Sequence, residues 1–160
     1  MAKFSDLLRY QLYECNEHEI PLHQELTYLE NFIELQKLRQ DHNYIELSLN
    51  IEQQQHYPNL SIAPFVLIPF IENAFKHVSK SRERKNWIRM SLRLEQNELH
   101  LAIDNSTSGL HSHSSAFIPH SGIGLKNVKR RLDLLYDDKY KLNIERKDAT
   151  FLVELQIEIS

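Results

Sequence analysis

The chain predicts an α+β fold, a two-layer sandwich with helices laid on one face of a sheet. Apolar residues recur at helical spacing in four stretches and at every second position in five others. The stretches come in mixed order: helix, helix, strand, helix, two strands, loop, helix, two strands. A chain of 160 residues fits one medium domain and buries a core without staples.

Residues 4–15 put Phe4, Leu7, Leu8, Leu12 and Cys15 on one helical stripe. That stripe reads equally as a dimer seam and as a face packed on the domain itself. Pro21 opens the next helix, whose apolar face runs from Leu22 through Leu29, Phe32 and Ile33 to Leu38. Tyr44 to Ile51 alternates as a half-buried strand does, and Gln53-Gln54-Gln55-His56 is a turn. A third helix is expected to start at Ala63-Pro64 and to kink at Pro69, which lacks a backbone donor. Trp87–Leu94 and Glu98–Ile103 alternate on either side of Gln96-Asn97, the pattern of an antiparallel hairpin. Residues 106–121, rich in Ser and His with Gly109 and Pro119, form a surface loop. Gly124 to Tyr136 is helical, and strands Lys141–Glu145 and Phe151–Ile159 close the chain around Lys147-Asp148-Ala149.

Bulk composition narrows the class. Hydrophobic content of 41% and charged content of 26% are those of a soluble globular protein. A net charge of −3 offers no bulk attraction to nucleic acid or to an anionic bilayer. Cys15 is the only cysteine, so no disulfide forms within the chain and a reducing, cytosolic setting is expected. No apolar run nears the roughly 20 residues of a membrane-spanning helix.

Two motifs carry chemistry. Asn73 and Lys76 stand one helical turn apart at the edge of an otherwise apolar helix, so one ligand can meet both. An Asn amide oxygen suits Mg²⁺, and a Lys ammonium suits a phosphate. Glu72 adjoins them and reads either as a base or as a solvated acid. Gly122-Ile123-Gly124-Leu125 is a Gly-x-Gly turn opening a basic helix, where backbone amides and the helix dipole favour an anion. A lone Gly-x-Gly also occurs with no ligand. The basic residues Lys126, Lys129, Arg130 and Arg131 read mainly as a solvated helix face. His111, His113 and His120 invite a metal reading. Their spacing on a loop with no cysteine or fixed carboxylate favours a solvated segment instead.

The helix LIPFIENAFKHV (67–78) resembles the N box of sensor histidine kinase ATP-binding domains, and GIGLKNVKRRLDLLY (122–136) resembles their glycine box. LLRYQLY (7–13) and LTYLENFIELQKLR (26–39) resemble the segments just upstream in the LytS/YehU-like branch. The resemblance covers nearly the whole chain. It implies the Bergerat ATP-binding fold of the GHKL superfamily, a mixed sheet backed by about three helices. It also implies two parts, residues 1–40 as the remnant of a dimerisation or linker helix with the first core helix, and 41–160 as the catalytic domain.

The same resemblance implies the site. Asn73 would be the Mg²⁺ ligand, Lys76 a phosphate contact and His77 an assistant. Asp104 would accept from the adenine amino group. Gly122, Ile123, Gly124 and Leu125 would cradle the phosphates of ATP, and residues 106–121 would be the lid. The implied partners are a LytTR-type response regulator and a second copy in the parent kinase. Nucleic acid is not among them, and a membrane would be met only through an N-terminal sensor region outside this chain, leaving this part cytoplasmic.

Two departures bear on activity. The family's first glycine box is Asp-x-Gly-x-Gly, whereas Asp104-Asn105 is followed here by Ser106-Thr107-Ser108-Gly109. The phosphoacceptor Pro-His-Phe motif of this branch is also missing, so autophosphorylation by this chain alone is not expected. Related ATP-hydrolysing proteins place a catalytic Glu four residues before the Asn; Pro69 stands there and cannot act as a base. Transfer to a separate histidine is thus favoured over hydrolysis. A degenerate module that only binds nucleotide or dimerises is the alternative, and an anti-sigma-factor serine kinase is a more distant one.

Overall fold

The computed structural model describes residues 5, 17–40, 45–51, 59–108 and 122–160. Within these, the chain runs β1 (Ile20–Pro21), α1 (Leu22–Arg39), β2 (Ile45–Ile51), β3 (Ser61–Ile62) and α2 (Ile68–His77). It continues through β4 (Asn86–Glu95), β5 (Glu98–Ser106), α3 (Gly122–Tyr136), β6 (Tyr140–Lys147) and β7 (Thr150–Glu158). A five-stranded sheet has the order β2-β4-β5-β7-β6, with β2 parallel to β4 and every other pair antiparallel. The fold is the mixed α/β sandwich that the sequence predicts.

Alternation decides which sheet face is covered. Ile88, Met90, Leu92 and Leu94 of β4 are buried, while Arg89, Ser91 and Arg93 between them are exposed. Leu99, Leu101 and Ile103 of β5 and Phe151, Val153, Leu155 and Ile157 of β7 join the same buried face. Phe32 and Ile33 of α1, Phe70 and Ile71 of α2, and Val128 and Leu132 of α3 complete one core. α1, which the sequence predicts as a core-facing helix, is packed into this helix layer. Among the described residues no helix covers the other sheet face, and its trough of about 640 Å³ is walled by polar side chains such as Arg93, His100 and Gln156.

Four elements differ from the sequence reading. α2 starts at Ile68, not Ala63, because Phe65 takes a left-handed φ of 57° that a helix cannot hold. Pro69 then sits in the first turn, where a missing N–H costs nothing, and no kink is needed. α3 begins at Gly122, two residues earlier than the apolar pattern marks. The short β1–β3 pair has too few residues for any periodicity to reveal; it pairs Ile20 with Ile62 and Pro21 with Ser61. On its far side the Ser61 N–H donates to the carbonyl of Ser160 at 2.6 Å. The 4–15 stripe with Cys15, the 53–56 turn, and the loop histidines at 111, 113 and 120 lie outside the described residues.

Both tight hairpins turn on left-handed residues, Gln96 at φ 58° and Asp148 at φ 46°. Among the described residues, no helix is long and apolar enough to cross a membrane.

Candidate functional site

α2 packs on β5 and on α3, so the two helices that carry the sequence motifs are neighbours. Its apolar side, Phe70, Ile71, Ala74 and Phe75, enters the core. One turn along from Phe70, Asn73 is drawn to the buried side, at 9% exposure, while Glu72 and Lys76 stay exposed and His77 is half-buried. Asn73, Lys76 and His77 thus follow one edge of the helix, as their spacing predicts. A groove of about 410 Å³ between the end of α1 and α2 is lined by Arg39, Gln40, Glu72 and Lys76. It is smaller than the open-face trough, yet it adjoins the motif residues, whereas the larger trough lies across the sheet from them.

Burial raises the Glu72 carboxyl above its usual value. The His77 imidazole is lowered, first by burial and then by the positive charges of Lys76 and Arg146. Arg146 reaches the site through register: β6 pairs it with Phe151, which pairs with Asn105, which pairs with Ile88. Directly paired residues point to one face of a sheet, so this row lies on the helix side.

Asp104 does not converge with the α2 residues. It precedes Asn105 by one position and so points to the open face, where Arg89 donates to its carboxylate at 2.5 Å. The Arg89 guanidinium also lies 4.2 Å from the centre of the Trp87 ring. Asn105 takes the helix-facing place instead, and it is fully buried at 0% exposure. Its Nδ2 donates to the Ser106 carbonyl at 3.1 Å. Its Oδ1 is buried without a hydrogen-bond partner among the described residues. The Thr107 Oγ1 next along is orphaned in the same way. Buried acceptors left unpaired are costly, so an acceptor orphaned on this face calls for a donor beyond the described residues.

A buried polar clasp holds this strand end. Ser79, just past α2, donates its N–H to the Ser106 carbonyl at 2.8 Å. The Ser79 hydroxyl lies 2.6 Å from Asn86 Oδ1 and 2.8 Å from the Ser106 hydroxyl. The Trp87 N–H donates to the Ser106 hydroxyl at 2.9 Å. Sequence reading passed over Asn105, Arg146 and this clasp; the strand alternation of 99–105, extended by two residues, was the signal for Asn105.

At the start of α3, Gly124 is exposed, and a Cβ built on it meets no atom of the described residues within 4 Å. Leu125 is different: its side chain is buried in the core, so only its backbone can face a ligand. Farther along α3, Lys129 and the Tyr140 hydroxyl both bond Asp133, which ties the helix to β6 and removes Lys129 from the site. The Tyr136 hydroxyl accepts from the Ala63 N–H at 2.8 Å and fixes the helix end against the segment leading to α2.

The chain is similar to known proteins along most of its length. Residues 60–159 match the GHKL domain family, and residues 1–44 match the family described as histidine kinase. The sensor protein kinase HptS of Staphylococcus aureus (strain USA300) is 27% identical over 156 residues, covering 92% of this chain and 29% of that protein. The chain thus spans less than a third of that relative's length. Among solved structures, the Acinetobacter baumannii histidine kinase AdeS superposes with a TM-score of 0.59 at 14% identity, covering 98% of this chain and 75% of that one. Full-length ShkA in complex with AMPPNP gives 0.58 at 15% identity, covering 89% of this chain and 31% of ShkA. The match over residues 60–159 spans more than half of the sequence, so the chain belongs to the GHKL-domain family.

Proposed function

We propose that this chain is the ATP-binding catalytic part of a two-component sensor histidine kinase. In this reading it binds Mg-ATP and delivers the γ-phosphate to a histidine on a segment outside the chain, for relay to a LytTR-type response regulator. The parent protein would pair two copies and meet the membrane through its N-terminal region. The observation that carries the reading is the orphaned Asn105 acceptor, buried on the sheet face that α2 covers. An exocyclic amino group is the donor such an acceptor lacks, so we assign the adenine contact to Asn105 in place of Asp104.

The remaining residues fit the rest of the nucleotide. Asn73 offers one neutral oxygen, and among the described residues no cluster of three acidic, His or Cys side chains forms a cage. That suits Mg²⁺, which is commonly held by one or two protein oxygens together with phosphates and water. When bound, the ion would neutralise charge on the phosphates. Lys76 would contact phosphate directly, His77 would remain neutral beside it, and the backbone of Gly122 to Leu125 would receive the phosphates at the start of α3. Glu72, exposed and raised in pKa beside Asn73, would take a proton from the attacking histidine.

Calorimetric titration with ATP, with and without Mg²⁺, tests the reading. The expected result is an affinity that rises with Mg²⁺ in the native protein and loses that rise in Asn73→Ala. A folded protein that binds no ATP under either condition would instead be the degenerate module.

A further inference from the structure

We infer that Ser79 and Ser106 are positioning residues that set which way the Asn105 amide faces, and so which purine the site accepts. The inference rests on the adenine assignment above and names what enforces it. An Asn amide presents a donor on one side and an acceptor on the other, and a half-turn about its last bond exchanges them. Left free, such a group accepts from the amino group of adenine or, turned over, donates to the O6 of guanine. It would then discriminate poorly.

Here the amide is not free. The Ser106 carbonyl can only accept, so the Asn105 atom 3.1 Å from it must be the NH₂, and Oδ1 is turned the other way as an acceptor. The Ser106 carbonyl is itself held by the Ser79 N–H. The Ser106 hydroxyl is held by Ser79 and by the Trp87 N–H, and Ser79 is anchored in turn to Asn86. Ser79, Asn86, Asn105 and Ser106 are all buried, so water does not replace the bonds among them. A glycine at position 106 would supply the carbonyl but none of the hydroxyl contacts. The serine thus does work here that a backbone alone does not, and neither hydroxyl needs to touch the nucleotide.

The experiment measures ATP and GTP affinities side by side for the native chain and for Ser79→Ala, Ser106→Ala and Ser106→Thr. The ATP preference is expected to fall by roughly three- to tenfold in both alanine variants, the value of one neutral hydrogen bond, and to return in Ser106→Thr. A merely structural role would weaken both nucleotides together and leave their ratio unchanged; that outcome overturns the inference, as does no change at all. If the native chain binds neither nucleotide, the proposed function fails first and this inference with it. Should the alanine variants not fold, the native protein alone decides by NMR without nucleotide. Its Asn105 side-chain amide protons must exchange with water far more slowly than those of exposed Asn127, and equal exchange overturns the inference.

Discussion

Asn105 and Asp104 differ by one position and by one face of the sheet, and that step separates the proposed adenine contact from a surface ion pair. Replacing Asn105 with Ala is expected to weaken ATP binding by roughly three- to tenfold, whereas Asp104→Ala leaves it unchanged, both read by calorimetry. The reverse ranking would return the adenine contact to Asp104. Sequence resemblance favoured the aspartate because the motif is defined by residue type. The alternation of Leu99, Leu101 and Ile103, carried two residues further, puts Asn105 on the covered face, and the register of β4, β5 and β7 agrees. Glu72 carries a prediction that the sequence could not reach, since burial is a property of the folded chain. Its carboxyl is raised above 4.5, so the folded state holds the proton more tightly than the unfolded state. The ionised form therefore costs stability: nothing well below that value, increasingly as pH rises through it, and a constant amount above the folded pKa. Glu72→Gln should raise Tm near pH 7 and give no difference near pH 4; a gain equal at both would assign the effect to something other than charge.

At the scale of elements, the sequence was most legible where alternation ran long. β4, β5, β6 and β7 lie within three residues of their expected bounds because eight or more positions report the same face. α2 was misjudged at its start because Pro64 and Pro69 both qualify as opening residues, and Phe65 decides between them by a backbone angle no pattern encodes. The hairpin turns invite a test. Gln96 has positive φ at the first turn position of the β4–β5 hairpin, where glycine is the natural choice. Gln96→Gly should stabilise the protein by roughly 0.5 kcal/mol or more, the relief of left-handed strain less the added freedom of the unfolded chain. Urea denaturation reads this directly, and a loss of stability would show that Gln96 makes contacts worth more than its strain.

For the whole molecule, the question is whether residues 41–160 stand alone. α1 places Leu22, Tyr28, Leu29, Phe32 and Ile33 in the common core. At about 1.5–3 kcal/mol for each buried side chain, their removal costs roughly as much as a domain's entire stability of about 5–15 kcal/mol. A version lacking residues 1–40 is therefore expected to lose its cooperative thermal transition, followed by circular dichroism; a sharp transition would mean that α1 is a separable appendage. The fold class was legible from the order of elements, and the apolar face of α1 marked it as a core helix, but no periodicity says which strands a helix will cover. One more consequence follows from the small β1–β3 ladder. β3 is flanked by Pro21 on one side and by the Ser160 carbonyl on the other, so the two strand spacings put those points only about 10 Å apart. A folded unit whose ends emerge side by side can be spliced into a surface loop of a host protein through one opening, which makes residues 20–160 suited to service as an insertion cassette.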